Sequence, residues 1–158
     1  EMIGKFATLA GGKNIFADTI PGVISQISVE QVIYTDPDVY ITTAIGSSGL
    51  DAETNARRIV LGANTNAYQA SASLARSMER TGLPLLSAVK NRKVYSVWHH
   101  IYNNPINVFA LQAMAKWLHP DIYADLDPDA ELATFFAHFQ AVDLNGVYWI
   151  DLNDAPSP

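Results

Sequence analysis

Cysteine is absent from the 158 residues, which excludes thiol catalysis, disulfide scaffolds and cysteine metal sites. That absence suits an exported protein and a cytosolic one equally. Long apolar runs are missing too. The longest candidate, 105–118, is interrupted by Asn107, Gln112 and Lys116, and a bilayer span needs about 20 apolar residues. Basic residues are few, 10 against 16 acidic ones, for a net charge of −6. An acidic chain without a basic stripe argues against a nucleic-acid partner, because such binding runs on phosphate neutralisation. The first residues carry neither a basic start nor a long apolar stretch, so no export signal is present in them. What remains is 49% hydrophobic and 16% charged. This is too apolar for disorder and fits one globular domain over residues 1–158, able to bury roughly 70% of its unfolded surface.

Local signals divide the chain into short helices and strands. Ile3, Phe6, Leu9 and Ala10 fall near helical spacing, and Gly11-Gly12 supplies a stop. A helix with no strand before it, in an α/β pattern, leads us to expect a fragment without its N-terminal part. Ser28 is a candidate N-cap for a helix to Thr35, which ends before Pro37. Residues 39–43 are β-branched and aromatic and predict a strand. A weaker strand is expected at 58–62. Ala70, Leu74 and Met78 recur at i+4 within a helix from Tyr68 to Arg80, and residues 93–98 predict another strand. Asn104 is the expected cap of a helix beginning at Pro105, with Ile106, Phe109, Ala113, Met114 and Trp117 as its apolar stripe. Asp127-Pro128 starts a last helix to about Phe139, and 142–152 reads as a tail. Alternating helices and strands imply a three-layer α/β/α fold around a mainly parallel sheet.

Ligands of open α/β sheets bind beyond the carboxyl ends of the strands. Three segments qualify: 43–49, 62–68 and 98–104. The third gathers Trp98, His99, His100, Tyr102, Asn103 and Asn104 before a helix start, a mixture suited to a bulky polar or anionic ligand. Trp98, His100 and Tyr102 serve equally well as core or loop anchors, and Asn104 as a plain cap. The His99-His100 pair makes a poor chelate, since neighbours at a strand end point to opposite sides and no carboxylate lies nearby. His119, in the last turn of its helix, is explained by the helix dipole. Asp125-x-Asp127-x-Asp129 opens like a calcium loop, but Ala130 and Phe136 stand where glycine and glutamate are required. Gly46-Ser47-Ser48-Gly49 is one residue short of a nucleophile elbow. No metal, no cofactor and no catalysis are expected. The alternative from another class is a small α/β hydrolase using Ser47 or Ser48. A further one is an interaction domain that completes its sheet with a partner or pairs with itself as a homodimer.

Six segments in order resemble the C-terminal lobe of iron–siderophore-type periplasmic substrate-binding proteins. They are Ala10-Gly11-Gly12-Lys13-Asn14-Ile15, Ser28-Val29-Glu30-Gln31-Val32, Asp36-Pro37-Asp38-Val39-Tyr40-Ile41, the run from Leu86 to Tyr95, the run from Trp98 to Pro105, and Ala115 to Asp121. The resemblance implies one lobe of a two-lobed protein, with the N-terminal lobe and linker helix absent. It implies binding of a ferric siderophore or similar iron complex between the lobes, and delivery to the permease of an ABC importer. Haem or a corrinoid would suit a similar pocket. The location implied is the periplasm or the outer face of the cytoplasmic membrane. The ligand contacts implied are Trp98, His100 and Tyr102, then Ser47, Tyr68 and Asn103. Glu30 matches a position that docks on basic residues of the permease, and equally helps its own helix N-terminus.

Overall fold

The computed structural model describes residues 2–18, 26–46, 49–50 and 52–154. In chain order the elements are α1 (Met2–Leu9), α2 (Val29–Thr35), β1 (Tyr40–Ala44), α3 (Ala52–Asn55), α4 (Ala67–Met78), α5 (Ser87–Lys90), β2 (Val94–Trp98), α6 (Asn107–Leu118), α7 (Pro128–Phe139) and β3 (Trp149–Asp151). Short 3₁₀ turns occupy Leu83–Leu85, His99–Asn103 and Leu152–Asp154. The chain divides into two compact units, Glu1–Gln26 with His100–Leu144, and Ile27–His99 with Asn145–Pro158.

The second unit holds the sheet, in the order β1-β2-β3. β1 and β2 run parallel, in register from Tyr40 opposite Val94 to Ala44 opposite Trp98. β3 lies antiparallel to β2, with Ser96 opposite Ile150. The sheet is therefore small and mostly parallel, as an α/β fold requires. Val94 to Val97 are all buried, which is what a central strand with two covered faces demands. Ala70, Leu74 and Met78 of α4 join Ala44, Ile59, Leu61, Val94, Ile150 and Leu152 in one core. Leu61 and Leu74 are fully buried, each adding about 2 kcal/mol by removal from water.

Two strand expectations change. Residues 58–62 form no continuous strand; they make isolated bridges, Val60 with Gly46 and Gly62 with Val147. Part of the reason lies in α4. The buried Ser73 hydroxyl accepts from the Val60 N–H at 3.0 Å and donates to the Ala70 carbonyl at 2.8 Å, so a side chain takes the place of a neighbouring strand. The expected tail at 142–152 instead contains β3, held further by Arg92, whose guanidinium donates to the Leu152 carbonyl and to Asn153 Oδ1.

Caps account for most helix boundaries in this unit. The Ser28 hydroxyl accepts from the Gln31 N–H at 3.1 Å, as expected from sequence. At α4, Asn66 and Gln69 form a reciprocal capping box. α5 has no cap of its own. Asp36, with φ of 43°, supplies one from a distance, accepting from the Ser87 N–H at 2.8 Å and its hydroxyl at 2.7 Å.

In the first unit α1 ends as predicted: Gly11 takes a φ of +86°, and the Gly12 N–H returns to the Ala7 carbonyl. Phe109, Ala110, Ala113 and Met114 are the buried face of α6, and Phe135 of α7 meets Phe109 at 5.6 Å between ring centroids. α7 begins as expected, Asp127 accepting from the Ala130 N–H with Pro128 in the first turn. α6 starts at Asn107, three residues after the cap expected from sequence. Asn104 accepts instead from the Ile106 N–H in the preceding turn, because 99–103 wind as a 3₁₀ segment and delay the helix. His119 is the C-cap of α6, and its ring lies against Gly11, where a Cβ would meet Nε2 at 2.6 Å. Packing thus adds to the dipole explanation for that histidine.

Candidate functional site

The carboxyl ends of β1 and β2 in the second unit bring together parts of three distant segments. β2 ends at Trp98, whose indole lies across Gly62; a Cβ on Gly62 would stand 2.8 Å from the indole Nε1. Gly62 has a φ of +104°, so glycine is needed there both for the turn and for the close approach. On its other side Gly62 bonds Val147 in both directions, at 2.6 and 3.3 Å. The Trp98 N–H donates to the Tyr148 carbonyl at 2.7 Å, and the two rings meet edge to face at 5.5 Å. Burial raises the Tyr148 phenol above its usual range, so it stays a neutral donor at physiological pH.

A polar latch closes this end. Asn145 Nδ2 donates to Asn64 Oδ1 at 2.7 Å, and the Tyr148 hydroxyl donates to the Asn145 carbonyl at 3.3 Å. Asn64 holds a φ of 61°, which asparagine tolerates better than most residues. Tyr68 stands in the first turn of α4 and is 72% exposed. The result is a half-buried tryptophan held by a tyrosine whose segment is latched by two carboxamides. Such a surface can stack on flat groups and donate hydrogen bonds.

Trp98 ends β2 and Tyr68 stands in the first turn of α4, both in the sheet-bearing unit. Ser47, together with Ser48 of the hydrolase alternative, lies outside the described residues. His100, Tyr102 and Asn103 belong to the first unit, in the 3₁₀ segment anchored by the fully buried Ile101. There His100 and Asn103 are exposed and Tyr102 is half-buried. Tyr148, Asn145 and Asn64 were not foreseen from sequence. Asn64 and Asn145 are 81 residues apart, and the only early signal was the polar character of the 63–66 loop.

Glu30 occupies the first turn of α2 and is exposed. Its own backbone N–H and the Ser28 hydroxyl hold its carboxyl below the usual range, which keeps it an anion on the surface. Among the described residues no three His, Asp or Glu side chains converge as metal ligands, and no helix is long and apolar enough to cross a membrane.

No protein-family model and no curated protein matches the sequence. The structure is similar to the crystal structure of a TroA-like periplasmic binding protein, FepB from Veillonella parvula, with a TM-score of 0.84 and 27% identity. The similarity covers 96% of this chain and 42% of that one. The chain thus spans less than half the length of the protein it resembles. It has the α/β fold of a TroA-like periplasmic binding protein, over an extent consistent with one lobe of such a protein.

Proposed function

We propose that the chain acts as a ligand-binding lobe of a periplasmic substrate-binding protein, carrying a ferric siderophore or similar iron complex to an ABC-type importer. The similarity to a periplasmic binding protein across 96% of the chain carries this reading. The Trp98–Tyr148 pair beyond the strand ends supports it, because a siderophore saturates iron with its own oxygens. Recognition then needs stacking and hydrogen bonding, not metal ligands. The proposed contacts in the sheet-bearing unit are Trp98, Tyr68 and Ser47. His100, Tyr102 and Asn103 are proposed as contacts from their own unit. Glu30 is proposed to dock on basic residues of the permease, where a rim charge contributes orientation more than affinity.

Tryptophan fluorescence of the chain, and of the two-lobed protein containing it, tests the reading by titration with a ferric catecholate, a ferric hydroxamate, haemin and a cobalamin. Saturable quenching by a ferric siderophore that weakens in Trp98→Phe supports the assignment. A response to haemin or cobalamin alone moves the cargo to that class. Silence of both proteins toward all four overturns the iron-complex reading.

A further inference from the structure

We propose that a groove beside the C-terminal half of α4 binds a phosphate-bearing anion, at a place separate from Trp98 and Tyr68. The groove has a volume of about 590 Å³, inside the range of about 300–1,000 Å³ typical of small-molecule sites. Arg57, Arg58, Arg76 and Arg80 all line it, and Glu79 is the only carboxylate among its described lining residues. Four of the 10 basic residues of a chain with net charge −6 are thus gathered in one concavity.

Two of the arginines have a structural task. Arg76 Nε donates to the Ala56 carbonyl at 3.0 Å, and Arg80 donates to the Arg57 carbonyl. These bonds fasten the 56–57 turn to α4 and fix two guanidinium groups at the groove wall. They use one donor nitrogen of each, and a guanidinium has five N–H groups. The fastening also explains nothing about the side chains of Arg57 and Arg58, which bring two more positive charges to the same wall. Like charges gathered this way repel, and a bound anion removes that cost. Guanidinium forks match the oxygen pairs of phosphate, and a tetrahedral group with several anionic oxygens can be shared among more than one fork. A single carboxylate offers only one such pair.

Position separates this groove from the tryptophan end. Tyr68 lies at the start of α4 and Arg76 in its last turn, eight residues and about 12 Å apart along the helix axis. Failure of the iron-complex reading therefore leaves this proposal standing, and the reverse also holds.

The test is calorimetric titration of the chain with inorganic pyrophosphate at low salt, repeated in the double variant Arg57→Ala with Arg58→Ala. Both substitutions are at exposed positions and spare the two arginines that fasten the turn. Saturable binding that weakens about tenfold or more in the double variant is expected, as loss of charge-assisted bonds implies, along with weakening as salt rises. Glu79→Gln removes the opposing carboxylate and should tighten binding, a gain that a folding defect cannot imitate. Co-sedimentation with phosphatidylglycerol vesicles, competed by pyrophosphate and lost in the double variant, identifies a lipid headgroup as the phosphate source. Pyrophosphate binding without vesicle binding identifies a free phosphate compound. No saturable binding of either probe, or binding unchanged in the double variant, overturns the proposal.

Discussion

Trp98 and Gly62 are in contact through the face of the indole, which leaves no room for a side chain at position 62. Gly62→Ala meets both a positive φ and a clash 2.8 Å from the indole Nε1. We expect a loss of about 2–4 kcal/mol in urea unfolding. Combining it with Trp98→Ala should return the clash contribution and leave the backbone contribution, so the two changes should be non-additive. Strict additivity would show that the contact has no energetic weight.

Ser73 is the partner of a buried backbone N–H, that of Val60. Ser73→Ala leaves this donor without an acceptor and should destabilise the protein by about 1–3 kcal/mol. Amide exchange at Val60 should accelerate at the same time. Unchanged exchange there would mean that another group satisfies the N–H.

The Asp36 carboxylate accepts two hydrogen bonds from Ser87, and these hold its carboxyl below the ordinary value of 3.8. The folded value is the lower one. Its contribution to stability is therefore present above pH 3.8 and is lost as pH falls below it, through the depressed folded value. Titration of Asp36 by NMR should show a midpoint under 3.8, moving upward in Ser87→Ala. An unmoved midpoint would remove the hydroxyl from the cause.

Asp151 behaves in the opposite sense. Burial beside β2 raises its carboxyl, Asp154 adds to the effect, and the bonds from Asn153 and the charge of Arg92 counter it. With the folded value above 3.8, stability falls as pH rises from 3.8 through that raised value. Asp151→Asn keeps an acceptor for the Asn153 N–H and removes the charge. Its melting temperature should exceed that of the parent at neutral pH and match it near pH 3. The reverse order at pH 7 would show that the carboxylate is favourable there.

The proposed ligand contacts can be separated from packing. Trp98→Phe retains an aromatic ring against Gly62 and Tyr148, whereas Tyr68→Ala alters an exposed side chain. Tyr68→Ala should leave the melting temperature within about 1 °C, as an exposed change does, while weakening ferric siderophore binding. Intact affinity in Tyr68→Ala and Trp98→Phe would remove these two residues from the proposed contacts, and intact affinity in Tyr102→Ala would remove Tyr102.

Signals between near neighbours were legible without coordinates. Ser28 as a cap, Asp127-Pro128 as a helix start, Gly11-Gly12 as a stop, and Ala70, Leu74 and Met78 as a stripe all depend on residues within two helical turns. β1 and β2 carried their own β-branched and aromatic composition. The ordered segments that resemble a periplasmic binding protein found their counterpart in the structural similarity to one.

Long-range pairing decided the rest. Trp149–Asp151 is a strand only because β2 offers it a ladder of hydrogen bonds, and three residues have too little pattern of their own to announce it. Residues 58–62 have strand composition, yet the Ser73 hydroxyl takes the Val60 N–H and the segment makes only bridges. Asn64 and Asn145, and Trp98 with Gly62 and Tyr148, meet because the sheet brings their loops to one end. Arg57, Arg58, Arg76 and Arg80 are scattered by up to 23 positions and converge only when α4 folds back on the segment before it. Backbone conformation follows from side chains within a turn or two, whereas a site is made by groups that chain closure brings into contact.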